Sequence, residues 1–139
     1  MPISNYTTKI TPDTTIGQIS RMLSKFGATR IITDYHDGEV ASLQFMLELK
    51  GRALFYQLPA NAEGVLKTLE RDNVAKQYRN IDHARGVAWR IIRDWIEAQL
   101  AIVDAGQAQL AEVFLPYAIA KDGRTLYQHI EDGTVKLLN

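Results

Sequence analysis

The stretch that decides the fold is Tyr78–Gly106, YRNIDHARGVAWRIIRDWIEAQLAIVDAG, which carries both tryptophans. At about 100° per residue, Ala88, Trp89, Ile91, Ile92, Trp95, Ile96, Ala98, Leu100, Ile102 and Val103 fall within an arc of about 220°. A helix resting on one sheet needs only about half of that width. The spacing therefore predicts one long helix with protein on more than one side, starting near Asp82 as its cap and stopping at Gly106. The remaining polar strip holds Arg90, Arg93, Asp94, Glu97 and Asp104, and offers Arg90 with Asp94 and Arg93 with Glu97 as i, i+4 pairs. Two polar residues fall inside the apolar arc. Gln99 requires a hydrogen-bond partner there, because an unpaired buried amide costs roughly 1–3 kcal/mol. Arg85 requires an anion, either a carboxylate of the chain or a bound phosphate.

Upstream of this helix the period changes twice. Thr11–Thr15 is a capping stretch with Pro12 near its start, and Ile16, Ile19, Met22, Leu23 and Phe26 then recur at helical spacing until Gly27. Residues 28–58 alternate with a period of two, most clearly in Ala41–Leu49, where Leu43, Phe45, Leu47 and Leu49 share a face. A two-residue loop at Asp37-Gly38 would bring Arg30 and Asp34 onto that face. A three-residue loop with Gly38 in the left-handed region brings Ile31, Thr33 and Tyr35 there instead, and this is the expected one. Lys50-Gly51 makes a tighter hairpin that places Leu54, Tyr56 and Leu58 inward. The outer sheet face is then Arg30, Ile32, Ser42, Gln44, Met46, Phe55 and Gln57, with Met46 opposite Phe55 and Ile32 close by. Ile32, Met46 and Phe55, together with Trp95 on the helix, are the candidate interface residues.

After Pro59, Asn61–Glu70 reads as a short helix with Val65, Leu66 and Leu69 inward. Helix, three strands and helix is also the order of the double-stranded-RNA-binding fold. That fold needs lysines at the start of its second helix, where this chain has Ala60, Asn61, Ala62, Glu63 and Gly64. The tail offers Val113, Phe114, Leu115 and Tyr117 for a short helix, a turn at Lys121–Arg124 and a last element at Thr125–Ile130, folding back over the long helix. The expected class is α+β: an antiparallel three- to four-stranded β-meander packed on one long α-helix, with short flanking helices, in a single domain spanning 1–139. The helix and the outer sheet face together carry more apolar surface than one small element covers. A homo-oligomer, most simply a twofold dimer, is therefore expected.

Composition narrows the functional classes. With 139 residues the chain holds one ordinary core, and with no cysteine it has neither disulfides nor thiolate chemistry. No apolar run approaches the roughly 20 residues of a membrane span, and MPISNYTTKI lacks the pattern of a signal peptide, so a soluble cytoplasmic protein without a membrane partner is expected. The net charge is zero, but five basic and two acidic residues fall within 72–93, against three and seven in 94–139. Lys76, Arg79, Arg85, Arg90 and Arg93 form this local excess, with Tyr78 and Trp89 interleaved. Such a set suits phosphates at the cations and bases on the rings.

Catalytic patterns are missing. His36, His83 and His129 form no HxxxH or HxH pair, so no metal site is expected. Asp122-Gly123 and Asp132-Gly133 are turn signals, and Ser20, Ser24 and Ser42 have no base at a recognisable spacing. No nucleophile elbow, phosphate loop or dinucleotide fingerprint occurs. A protein without catalytic residues or cofactor is the expectation.

Arg85, Val87–Ile92 (VAWRII), Glu112–Pro116 (EVFLP) and Asp122–Thr125 (DGRT) together resemble a family of uncharacterised small accessory proteins carried by bacteriophages and prophages, over about Thr15 to Leu126. The resemblance implies a phage-encoded accessory protein in the cytoplasm of the bacterial host, active in DNA metabolism or in countering a host defence. The candidate partners are accordingly a nucleic acid or signalling nucleotide, bound through Lys76, Tyr78, Arg79, Arg85, Trp89, Arg90 and Arg93, or a host protein met by the apolar sheet and helix surface. Salt separates the two, since phosphate-driven binding weakens steeply with ionic strength.

Overall fold

The computed structural model describes Pro2–Leu138. Its elements are α1 (Pro12–Lys25), β1 (Arg30–His36), β2 (Glu39–Leu49), β3 (Arg52–Gln57), α2 (Ala62–Arg71), a 3-10 turn (Lys76–Tyr78), α3 (Ile81–Asp104), α4 (Leu110–Val113), a second 3-10 turn (Leu115–Tyr117) and α5 (Leu126–Glu131). The class is α+β, with one three-stranded antiparallel sheet of order β1-β2-β3, a long helix and short flanking helices. Contacts gather the chain into two compact units. One comprises the chain up to Met22 with Pro59–Ala98; the other comprises Leu23–Leu58 with the chain from Gln99 onward.

In the second unit both hairpins turn through two residues. Asp37-Gly38 and Lys50-Gly51 carry positive φ at both positions, the turn whose twist matches that of the strands it joins. His36 accordingly pairs with Glu39, and Leu49 with Arg52. The first turn corrects the three-residue loop that the alternation predicts. A regular two-residue hairpin would put Arg30 and Asp34 on the buried face, and a bulge prevents this. Asp34 pairs with Ser42 while Tyr35 pairs with Val40, so Ala41 is an extra residue in β2 and the register shifts by one. Beyond it Ile31 pairs with Phe45 and Thr33 with Leu43, the expected faces reached by another route. Met46 lies opposite Phe55 as expected.

The buried face of the sheet is aromatic at its centre. Phe45 stacks on Tyr56 with ring centroids 5.1 Å apart and meets Phe114 edge-on at 5.4 Å. All three are fully buried. The Tyr56 hydroxyl donates to the Ala111 carbonyl at 3.1 Å, and burial pushes its pKa up. The tail follows β3: Ile119 N–H donates to the Phe55 carbonyl at 2.7 Å, and Ala118 bridges to Tyr56. Within this unit the tail is thus seated on the sheet, through Phe114 and the 118–119 segment. Its final turn is held by carboxylates. Asp122 accepts the Arg124 N–H at 3.0 Å and pairs with His129, while Asp132 accepts the Thr134 hydroxyl at 2.6 Å and N–H at 2.9 Å and pairs with Arg124. The Thr125 and Gln128 side chains cap α5 reciprocally.

The first unit is built around α2 and the first half of α3. Asn61 caps α2 by accepting from Gly64 N–H. Leu69, Val74 and Ala84 are buried together, with Ile3, Tyr6, Val65, Leu66 and Tyr78 packed on them. The cap of α3 is Asn80, whose side-chain oxygen accepts from His83 N–H at 2.8 Å; Asp82 lies in the first turn instead. Gly86 is buried, and the Ile10 carbonyl lies 3.3 Å from where a Cβ would stand. Burial of α3 is nearly all round at Ala84–Trp89 and then narrows to Ile92, Ile96 and Leu100. Ala98 and Ile102 are exposed, and Gln99 is half-buried with no buried orphan atom. The wide arc is therefore a property of the first half of the helix. At its end, Gly106 N–H bonds Val103 and Gln107 N–H bonds Ile102, with Gly106 at φ 74°, the left-handed stop expected there. No helix among the described residues is long and apolar enough to cross a membrane.

Two outcomes follow from this packing. Phe114→Ala leaves a cavity beside Phe45 and costs about 3–5 kcal/mol, measurable by urea denaturation; a loss below about 1 kcal/mol would show that the aromatic cluster is not a core. The Asp122 carboxyl is held below the ordinary value of 3.8, first by the Arg124 N–H and then by His129, and Asp132 likewise by the Thr134 hydroxyl and N–H and by Arg124. Both depressions contribute stability that is present above pH 3.8 and fades as the pH falls through the lowered values. Carboxyl carbon titration by NMR is expected to give both midpoints below 3.8, and midpoints at or above it would contradict the turn geometry.

Candidate anion-binding site

Gln18 of α1 and Arg90 and Arg93 of α3 come together in the first unit. On α1, Ile16 and Ile19 face the interior with Thr15, which is fully buried, and Gln18 lies half-buried beside them. The Gln18 side-chain oxygen accepts from Arg90 Nη1 at 2.6 Å and from Arg93 Nε at 3.2 Å. Thr15 Oγ1 accepts from the same Arg90 Nη1 at 3.5 Å. One neutral amide oxygen thus joins two guanidinium groups.

The two arginines differ in how their charge is balanced. Arg93 pairs with Asp94 and with Glu97, each at 3.1 Å, the second being the expected i, i+4 pair. The expected pair of Arg90 with Asp94 does not form, because Asp94 is engaged by Arg93 and by Asn5 Nδ2 at 2.8 Å. Among the described residues no carboxylate pairs with Arg90, its Nε is buried without a partner, and its Nη2 is neither bonded nor buried. A half-buried cation with only neutral partners gains little from them relative to water, and much from an arriving anion. Arg21 lies one turn beyond Gln18 on α1 and is exposed. Its Nη1 rests 3.5 Å from where a Cβ on Gly17 would lie, next to Gln18 in sequence, and it forms no ion pair among the described residues.

The other candidate residues lie elsewhere or are already engaged. Arg85 pairs with Asp82 one turn away, which is the internal anion that its position requires. Trp89 is 3% exposed and has no face to offer a base, a correction to its candidacy as a stacking surface. Tyr78 is half-buried, edge-on to Tyr6 at 5.7 Å and tilted on His83 at 5.0 Å, so its ring serves the core rather than a ligand. Lys76 and Arg79 are exposed and have no ion-pair partner among the described residues. At 100° per residue Arg85 and Arg90 point about 140° apart on α3, so the basic run divides into two groups. Thr15 and Gln18 carry no sequence signal for this role, since they lie some seventy positions from the arginines.

A depression of about 360 Å³ opens at the start of α3, lined by Lys9, Gln77, Asn80, Asp82 and His83 among others. It suits an anion poorly. The His83 N–H is already taken by Asn80, His83 Nε2 meets the Tyr6 carbonyl, and Asp82 contributes a carboxylate. A second depression of similar size, by α2, is bordered by Ile3, Pro59, Val65 and Ile91. Neither includes Arg90. No group of three or more metal-ligating side chains occurs among the described residues.

Comparison with protein-family models, curated proteins and solved structures gives no match. Gln18→Glu places a carboxylate between two guanidinium groups at almost unchanged volume. Stability is expected to rise by about 1–2 kcal/mol at low salt and by less at high salt, read as a shift in melting temperature. A fall, or no change, would mean that Arg90 carries no unbalanced charge.

Proposed function

We propose that this chain is a non-catalytic accessory protein that binds a phosphate-bearing ligand, a nucleic acid or a signalling nucleotide, through Arg90 and Arg93 beside Gln18. Lys76 and Arg79 act as outlying cations on a longer ligand. The unmatched charge of Arg90 is the observation that carries this reading: the guanidinium is fixed by Gln18 and Thr15 while its Nη2 remains open. A phosphate oxygen there would make charge-assisted bonds to a donor that is already oriented. Burial of Trp89, and the ring contacts of Tyr78 to Tyr6 and His83, favour contacts to phosphate over stacking on bases. The setting suggested by the resemblance of the sequence is bacteriophage DNA metabolism or counter-defence in the bacterial cytoplasm.

Self-association belongs to the same proposal. Ile32, Met46 and Phe55 remain only half-covered on the outer sheet face, where Met46 is flanked by Arg30 and Phe55 across the strands. Trp95, also half-buried, is the candidate interface residue on α3. The same apolar face supports the second reading, an inhibitor that docks on a host protein by shape and apolar contact.

Binding of single-stranded and duplex oligonucleotides, mononucleotides and cyclic dinucleotides to the parent, Arg90→Gln and Arg85→Gln proteins tests the proposal. Arg90→Gln is expected to weaken the ligand by at least about tenfold, or 1.4 kcal/mol, with a shallower salt dependence. Arg85→Gln, whose charge is paired with Asp82, is expected to bind within about twofold of the parent. Equal binding by the parent and the Arg90 variant, or no binding by any of the panel, would overturn the assignment.

A further inference from the structure

The sheet has two edges, and they are treated differently. Along β3, the 118–119 segment follows the strand through Ile119 N–H to Phe55 and the Ala118–Tyr56 bridge. Along β1, no backbone hydrogen bond to the outer side is made among the described residues. Leu58 N–H donates to the Leu43 carbonyl, so Leu43 faces β3 and the backbone groups of Gln44 face β1. Gln44 pairs with Ile32, whose backbone groups are thereby used. The N–H and C=O of Ile31 and Thr33 point to the open edge.

We propose that β1 pairs with β1 of a second copy, antiparallel about a twofold axis at Ile32, joining the two sheets into one of six strands. This inference rests on the self-association proposed above and names the surface and register that produce it. In this register Ile31 of one copy faces Thr33 of the other, and each such pair exchanges both backbone hydrogen bonds through groups that are otherwise free. Ile32 meets Ile32 of the second copy across the axis. Arg30 then lies opposite Asp34 of the second copy, twice by symmetry, on the same side of the sheet as Ile32. Arg30 is exposed and makes no ion pair among the described residues, and Asp34, also exposed, accepts only from Ser42 at 3.1 Å. Charges on an edge strand ordinarily repel other strands. Opposite charges placed symmetrically about Ile32 exclude most strands and admit this one in one register. Shifting the axis to Ile31 or Thr33 puts Arg30 opposite Ile32 or His36 and forfeits both charge pairs. The joined sheet would also make the half-covered Ile32, Met46 and Phe55 face continuous across the axis.

The absence of cysteine makes the register directly testable. In the proposed register Ile32 and its symmetry mate form a non-hydrogen-bonded pair with Cα atoms about 4.5 Å apart, within disulfide reach. Ile32→Cys is expected to oxidise to a covalent dimer, and Met46→Cys, on the same face but one strand away from the axis, is not. Arg30→Asp and Asp34→Arg are each expected to weaken the dimer by about tenfold or more, and the double exchange to restore it. Light scattering gives the association state of each variant, and circular dichroism confirms that each is folded. A parent protein that is monomeric at about 100 μM would overturn both self-association and this inference. A dimeric parent in which Ile32→Cys fails to cross-link, or in which the double exchange stays dissociated, would overturn the register alone and leave self-association standing.

Discussion

The guanidinium of Arg90 is held in place by groups that do not neutralise it. Gln18 and Thr15 orient it through neutral oxygens, and the carboxylates nearest in sequence, Asp94 and Glu97, are taken by Arg93. A paired and buried arginine mostly cancels its own desolvation cost. An oriented and unpaired one keeps its charge available, and the energy that other molecules gain from it depends on how little reorganisation it requires. That constraint links α1 to α3 within the first unit. The candidate site is accordingly defined by a polar contact between the two helices.

The fold was legible where a period or a single turn residue decides it. Gly27 and Gly106 end their helices in the left-handed region, and Leu43, Phe45, Tyr56 and Leu58 lie inward as their alternation requires. The bulge at Ala41 was not legible. Bulge and turn length change register by the same single step, so a three-residue loop and a two-residue loop with a bulge give identical faces beyond Asp34. Facing pattern alone cannot separate them. The width of the apolar arc on α3 likewise averages over the helix, whereas burial is nearly complete at Ala84–Trp89 and then narrows to the single line of Ile92, Ile96 and Leu100.

For the site, local chemistry was readable and distant chemistry was not. Arg85 needs an anion by virtue of its place in the arc, and Asp82, three residues away, supplies it. The pairing of Arg93 with Glu97 follows from helical spacing. Arg90 has the same spacing to Asp94 and lacks the pair; Asp94 instead accepts from Arg93 at one oxygen and from Asn5 at the other. Gln18 is an unremarked residue of an amphipathic helix until the fold brings it 2.6 Å from Arg90. Trp89 illustrates the converse. An aromatic between two basic residues suggests stacking, and its ring is instead part of the core.

In the proposed function, Arg90 is the cation that an incoming phosphate meets first. Nitrogen-15 NMR of the arginine side chains, followed during titration with pyrophosphate as the probe, observes that group directly. The Arg90 guanidinium resonances are predicted to shift and saturate, with smaller changes at Arg93 and none at Arg85. Resonances of Arg90 that stay fixed through the titration, or that move no more than those of Arg85, would contradict the account.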